Sequence, residues 1–228
     1  MKLAALFSGG KDSTYSIFLA KNYGHDIKCL VSIFPKSDES HLLHHPNLKW
    51  TSLQSESMKI PQLKFDSQLD SDEVQDMKEV LQQAKSDFKI EGIVHGGIKS
   101  QFQKDTFENI CSPLDLELIS PLWDLDPLIY MNDLISSNFD FIVVSVSSDG
   151  LDDSWLGKKI GAKDVIHLEI LSKKFGFNLN FEGGEAETFV TNCPLFSGSI
   201  AIIEGEKIWD GYRGRFEILD ARLNYDVR

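Results

Sequence analysis

The stretch that most restricts the fold is "KLAALFSGGKDS", residues 2–13. A short apolar run ends in two adjacent glycines and passes straight into a segment of helical spacing. That pattern predicts a buried strand turning sharply into a helix from about Lys11 to Tyr23, closed by Gly24. Such a turn leaves backbone N–H groups exposed at a helix N-terminus, where an anion is favoured. Gly9 and Gly10 let the backbone approach a phosphate closely, Ser8 and Ser13 add hydroxyls, and Lys11 adds a charge. Asp12 makes sense beside phosphates if it holds Mg²⁺ or caps the helix. The Walker A spacing GxxxxGK[ST] is absent, so this is a different kind of phosphate loop.

Downstream, apolar runs alternate with amphipathic ones. "IKCLVSIF", "QLKFD", "GIVHGG" and "LELISPLW" read as strands, and "LDSDEVQDMKEVLQQAKSDF" as the clearest helix, with Val74, Met77, Leu81, Ala84 and Phe88 on one face. "PNLKWTSLQSES" also reads as helical. The order predicts an α/β fold, a parallel sheet of about five strands flanked by helices, over residues 1–124. Both glycine-rich stretches, "SGGKDS" and "HGGIKS", fall at strand ends, where open α/β sheets gather ligands. A smaller α+β domain is expected over 125–228. There "DFIVVSVSS" reads as a strand, "EGGEAET" as a glycine-rich loop, and the final "GSIAIIEGEKIWDGYRGRFEILDARL" as short strands broken by Gly-containing turns.

Charge and cysteines exclude several function classes. With 23 Lys and Arg against 35 Asp and Glu, the net charge is −12, and no basic block stands out, so direct nucleic-acid binding is not expected. Cys29, Cys111 and Cys193 form no CxxC pair and read as buried structural residues. Nothing basic flanks Cys193, so it is rejected as a nucleophile. No apolar run approaches the roughly 20 residues that span a bilayer. The N-terminal apolar run is too short for a secretory signal, so a cytoplasmic protein without a membrane partner is expected.

The pattern SGGxDS, filled by Ser8, Gly9, Gly10, Asp12 and Ser13, resembles the PP-loop of the ATP-pyrophosphatases, which attack the α-phosphate of ATP and expel pyrophosphate. The resemblance implies ATP and Mg²⁺ as cofactors and an adenine nucleotide alpha-hydrolase-like sheet. Four further stretches are similar to the diphthine–ammonia ligase family, which amidates diphthine on translation elongation factor 2: "HHPN" (44–47), "GGIKSQFQ" (96–103), "SWLGKK" (154–159) and "EGGEAETFV" (182–190). The chain departs from that family's usual glycine at Phe181, aromatic at Ala186 and arginine at Lys158.

What the resemblance implies is an ATP-dependent amide ligase. Its reactive groups would be Lys11, Asp12, Glu185 and Glu187. The nucleotide would touch Ser8, Gly9, Gly10, Lys11, Asp12, Ser13, His44, Gly96 and Ile98, with Asp12 at Mg²⁺. The substrate would meet Gln103, Trp155, Glu182, Glu185 and Glu187. The implied partners are diphthine-bearing elongation factor 2 and free ammonium, with a homodimer left open. Read from residues alone, the three acids suit Mg²⁺, ammonium or a cationic substrate, or simply a solvated acidic turn, and Trp155 suits a core anchor or a substrate wall. A PP-loop tRNA-modifying enzyme and a non-catalytic ATP- or AMP-binding regulatory module are the competing readings.

Overall fold

The computed structural model describes residues 1–34, 47–67 and 72–225; His44 lies outside them. The described residues form two compact units: 1–8, 12–34, 59–67 and 72–123 make the first, and 9–11, 47–58 and 124–225 the second.

The first unit is built on a five-stranded sheet, β1 (Lys2–Leu6), β2 (Asp26–Phe34), β3 (Gln62–Asp66), β4 (Gly92–Val94) and β5 (Glu117–Ile119). Every pairing is parallel and the order is β3-β2-β1-β4-β5. Leu3, Ala4 and Ala5 are fully buried, and Cys29 to Ile33 form a continuous buried run. That is the signature of strands covered on both faces. The helices are α1 (Lys11–Asn22), α3 (Glu73–Phe88) and α4 (Gln101–Cys111), while α2 (Thr51–Met58) belongs to the second unit. Asp72 caps α3 by accepting from the Val74 N–H at 2.9 Å. Met77, Val80, Leu81 and Ala84 bury its apolar face in the core shared with β2, β3 and α4, each large side chain contributing roughly 1.5–3 kcal/mol. Val74, expected on that face, is instead exposed beside the cap, and Val80 takes the core position.

Successive connections leave β1 towards β2 on one side, while β4 and β5 lie on the other. The carboxyl ends of β1 and β4 therefore flank the point where strand order reverses, the place where a crevice opens in such sheets.

The second unit carries an antiparallel sheet of β6 (Asp140–Val146), β7 (Ala186–Asn192), β8 (Ser199–Trp209) and β9 (Gly214–Asn224), in the order β7-β6-β9-β8, with α2, α5 (Pro127–Ser136) and α6 (Ala162–Phe175). Residues 47–58 join it through specific polar bonds. The Asn47 amide donates to Phe216 O and accepts from the Ile218 N–H, at 2.8 and 2.7 Å. Trp50 Nε1 donates to Ile218 O at 2.9 Å, and Ser57 Oγ donates to Gly198 O. "EGGEAET" is only partly a loop, since Ala186, Glu187 and Thr188 are strand residues paired with β6. The C-terminal segment also differs from expectation. It forms two 11-residue strands, not several short ones. Gly205 sits inside β8 at a register shift, against the Phe216 ring, which occupies the space a side chain would fill. Among the described residues no helix is long and apolar enough to cross a membrane.

Candidate active site

In the first unit, the Phe7 N–H donates to Val31 O and Phe7 O accepts from Ser32 Oγ, so the chain remains anchored to β2 just before the loop. The Ser8 and Ser13 hydroxyls lie 3.1 Å apart, and the Ser8 N–H donates to Ser13 Oγ at 3.3 Å. Two hydroxyls expected to face one ligand are thus adjacent. Asp12 is half-buried on the first turn of α1. Gly96 follows β4, and a Cβ there would lie 2.7 Å from both Asp12 C and Ser13 N. The backbone after β4 thus lies directly on the Asp12–Ser13 peptide, and only glycine permits that approach. Ile98 is buried next to it, and Gln103 lies half-buried on α4, its N–H donating to the capping Ser100 hydroxyl.

His95 supports this turn, a role the sequence reading left to its neighbours. It is 2% exposed and packs edge-on against Phe107. Its Nδ1 accepts from the Gly97 N–H at 3.1 Å, so Nε2 carries the proton and donates to Ser120 Oγ at 2.7 Å. Burial, reinforced by the Lys104 charge, pushes its pKa down to about 4. Because the folded value lies below the unfolded one of about 6.5, the unfolded chain binds the extra proton. Stability is complete above pH 6.5 and is lost as the pH falls towards 4. Thermal melts from pH 7 to 4 are expected to show this loss, worth up to about 3 kcal/mol. His95→Asn, which keeps an acceptor for Gly97 but cannot titrate, is expected to flatten the profile; an unchanged slope would remove His95 as its source.

In the second unit, Gly9 has φ +81° and lies against Gln54 and Thr51 of α2. Its carbonyl accepts from Gln54 Nε2 at 2.9 Å and from the Val190 N–H at 3.0 Å. The Lys11 N–H is spent on Thr188 Oγ1 at 3.1 Å. Lys11 corrects an expectation. Its side chain is 1% exposed and does not stand on an open loop. Nζ donates to Asn180 O at 2.6 Å and lies 5.7 and 5.6 Å from the Tyr130 and Phe181 ring centroids. The aliphatic stem needs an apolar channel and the ammonium needs acceptors, and these residues supply both. Phe181 holds φ +63°, a left-handed conformation that suits glycine. Its ring contact with Lys11 and its packing 6.4 Å from Phe177 offset that strain.

Of the three acids, Glu185 is held through Asn178. Its Oε1 accepts from the Asn178 N–H and Nδ2 at 2.8 and 2.7 Å, while Oε2 is buried without a hydrogen-bond partner among the described residues. Glu182 and Glu187 are half-buried, Glu187 opposite Ser145 of β6. Trp155 is 4% exposed, its ring covered by the Lys158 ammonium at 4.5 Å and by His167 at 5.5 Å. It is therefore a core anchor and not an open substrate wall. Lys158 is also bound to Asp164 at 2.6 Å. All three cysteines are buried, and burial pushes each thiol up to about 12, which removes them as nucleophiles. Among the described residues no group of three or more His, Cys, Asp or Glu could hold a metal ion. An open groove of about 750 Å³ lies at the amino end of β5, lined by Lys85, Glu91, Glu108 and Asp115, at the opposite end of the sheet from the loop.

Residues 1–118 match the family described as diphthamide synthase N-terminal domain, and residues 126–223 the one described as diphthamide synthase C-terminal domain. The chain belongs to the diphthamide synthase family. Proteins named diphthine–ammonia ligase from Rattus norvegicus and Homo sapiens are 34% and 33% identical to it, over 91% of this chain and 85% of theirs. The Saccharomyces cerevisiae protein of that name is 30% identical over 98% of this chain but only 37% of its own length. The SGGKDS turn lies in the matched N-terminal region and the acidic strand in the matched C-terminal region. Gln54, Asn180 and Tyr130 around the loop were missed by sequence reasoning, because none belongs to a recognisable pattern and only folding brings them to Gly9 and Lys11.

Proposed function

We propose that this chain is an ATP-dependent carboxylate–ammonia ligase that converts diphthine on translation elongation factor 2 to diphthamide. The observation that carries the reading is the SGGKDS turn at the carboxyl end of β1, pressed by Gly96 at the strand-order switch, in a chain of the diphthamide synthase family. ATP is the co-substrate. One oxygen of the diphthine carboxylate attacks the α-phosphorus, the α–β bridging bond breaks, and pyrophosphate leaves with that electron pair. Ammonia then attacks the acyl carbon and AMP departs, the ammonium having given up one proton to solvent and the adduct another. In this scheme Ser8, Ser13 and the loop N–H groups bind phosphate oxygens, and positioning and fixed dipoles lower the barrier.

Lys11 anchors its own segment of the loop through Asn180 O and contributes positive charge. In this reading Ile98 meets the nucleotide and Gln103 the substrate. Glu182 and Glu187 attract the trimethylammonium of diphthine. The unpartnered Oε2 of Glu185 is an acceptor suited to an ammonium donor. Mg²⁺ is ordinarily held by one or two carboxylates plus phosphates, and Asp12 beside the loop fits that donor set. Bound there it would neutralise charge on the leaving pyrophosphate.

The test is incubation of the full chain with ATP, ammonium and elongation factor 2 bearing diphthine. AMP, pyrophosphate and the carboxamide are expected in equal amounts. Absence of AMP with the complete mixture would overturn the ligase reading.

A further inference from the structure

We propose that Gln54 is a positioning residue for the phosphate loop. It is fully buried on α2, outside every motif that marks the site. Its Nε2 donates both hydrogens, to Gly9 O at 2.9 Å and Val190 O at 2.8 Å. Gly9 O also accepts from the Val190 N–H at 3.0 Å. Two donors therefore pull this one carbonyl back towards β7.

A peptide unit is planar and trans, so turning its carbonyl one way sends the following N–H the other. Holding Gly9 O on β7 and α2 directs the Gly10 N–H to the opposite side. A phosphate loop works when its carbonyls are turned away and its N–H groups are held in place before the ligand arrives. Gln54 supplies half of that restraint.

The side chain's own bonding argues for this role over a purely structural one. Oε1 is buried with no hydrogen-bond partner among the described residues and lies against Gly9. An orphaned acceptor costs stability, and an apolar residue of similar shape would avoid that cost. The amide makes sense where its two N–H groups must meet two particular carbonyls. The same contact explains glycine at position 9, since its φ is +81° and a side chain there would run into Oε1 and lie 2.9 Å from Thr51 Cγ2.

The inference rests on reading the loop as a nucleotide site, and the test separates the two. ATP affinity of the full chain is measured by calorimetry, with thermal melts, for wild type, Gln54→Met, Gln54→Asn and Ser57→Ala. Methionine keeps the length without the donors; asparagine keeps the amide but withdraws it by one methylene, and carries the test if the methionine variant does not fold. Ser57 lies one turn on in α2 and bonds Gly198 through its hydroxyl, without touching the loop. Both Gln54 variants are expected to weaken ATP binding about tenfold, the cost of one hydrogen bond. Ser57→Ala is expected to lower the melting temperature and leave ATP affinity unchanged. Folded Gln54 variants with wild-type affinity, or an equal loss in Ser57→Ala, would overturn the proposal alone. A wild-type chain that binds no ATP would overturn the nucleotide reading beneath it.

Discussion

Gly96→Ala is expected to reduce ATP-to-AMP turnover by about two orders of magnitude, the usual penalty for displacing reacting groups by roughly 1 Å. The added methyl would meet Asp12 C and Ser13 N at 2.7 Å and Asp12 O at 2.9 Å. These are backbone atoms of the loop and of the first turn of α1, so no rotamer change relieves the clash. Either the β4 turn or the loop must move, and each carries part of the proposed nucleotide site. Overpacking of this kind costs about 1–3 kcal/mol, a fall in melting temperature of a few degrees for a chain of this size. Gly24→Ala is the control. Unlike Gly96 it has positive φ, +87°, but nothing lies within 4 Å of its added methyl. It is expected to lose a little stability and no turnover. Full turnover in a folded Gly96→Ala protein would show that the Gly96 contact does not set the loop.

Lys11→Ala is expected to act first on folding. Truncating a side chain that is 1% exposed leaves a cavity between Tyr130 and Phe181 and removes the donor to Asn180 O. The cavity term alone is about 2–5 kcal/mol, so the melting temperature is expected to fall by roughly 10 °C. Lys11→Met separates the two effects. It refills the channel and relieves the cost of burying a charge, which offsets much of the lost hydrogen bond. Its stability is expected to stay within about 2 kcal/mol of wild type, while turnover falls because the positive charge is gone. A methionine variant with wild-type turnover would reduce Lys11 to a packing residue. Phe181 would then be explained by packing as well.

The elements themselves were largely legible. The period of α3, the continuous apolar runs of β1 and β2, and the glycines at two strand ends follow from local chemistry and reappear in place. The misreadings share one physical cause. Gly205 signals a turn by propensity, yet it lies within β8 because the Phe216 ring crosses over it. Trp155 sits in a polar stretch, yet Lys158 and His167 cover its ring. Lys11 reads as a displayed charge, yet an apolar channel from remote segments encloses it. In each case packing in the folded chain overrides the local preference.

The candidate site divides along the same line. By itself the sequence determined the strand–loop–helix that opens the chain, the parallel sheet behind it and the family, because periodicity, glycine and short motifs are properties of neighbouring residues. Only the tertiary structure decided how the loop is held: Gln54 and Val190 on Gly9, Thr188 and Asn180 on Lys11, Gly96 on Asp12. Lys11 and Asn180 are 169 residues apart. A hydrogen bond over that separation leaves no trace in local composition, since it exists only once the two segments have been packed together.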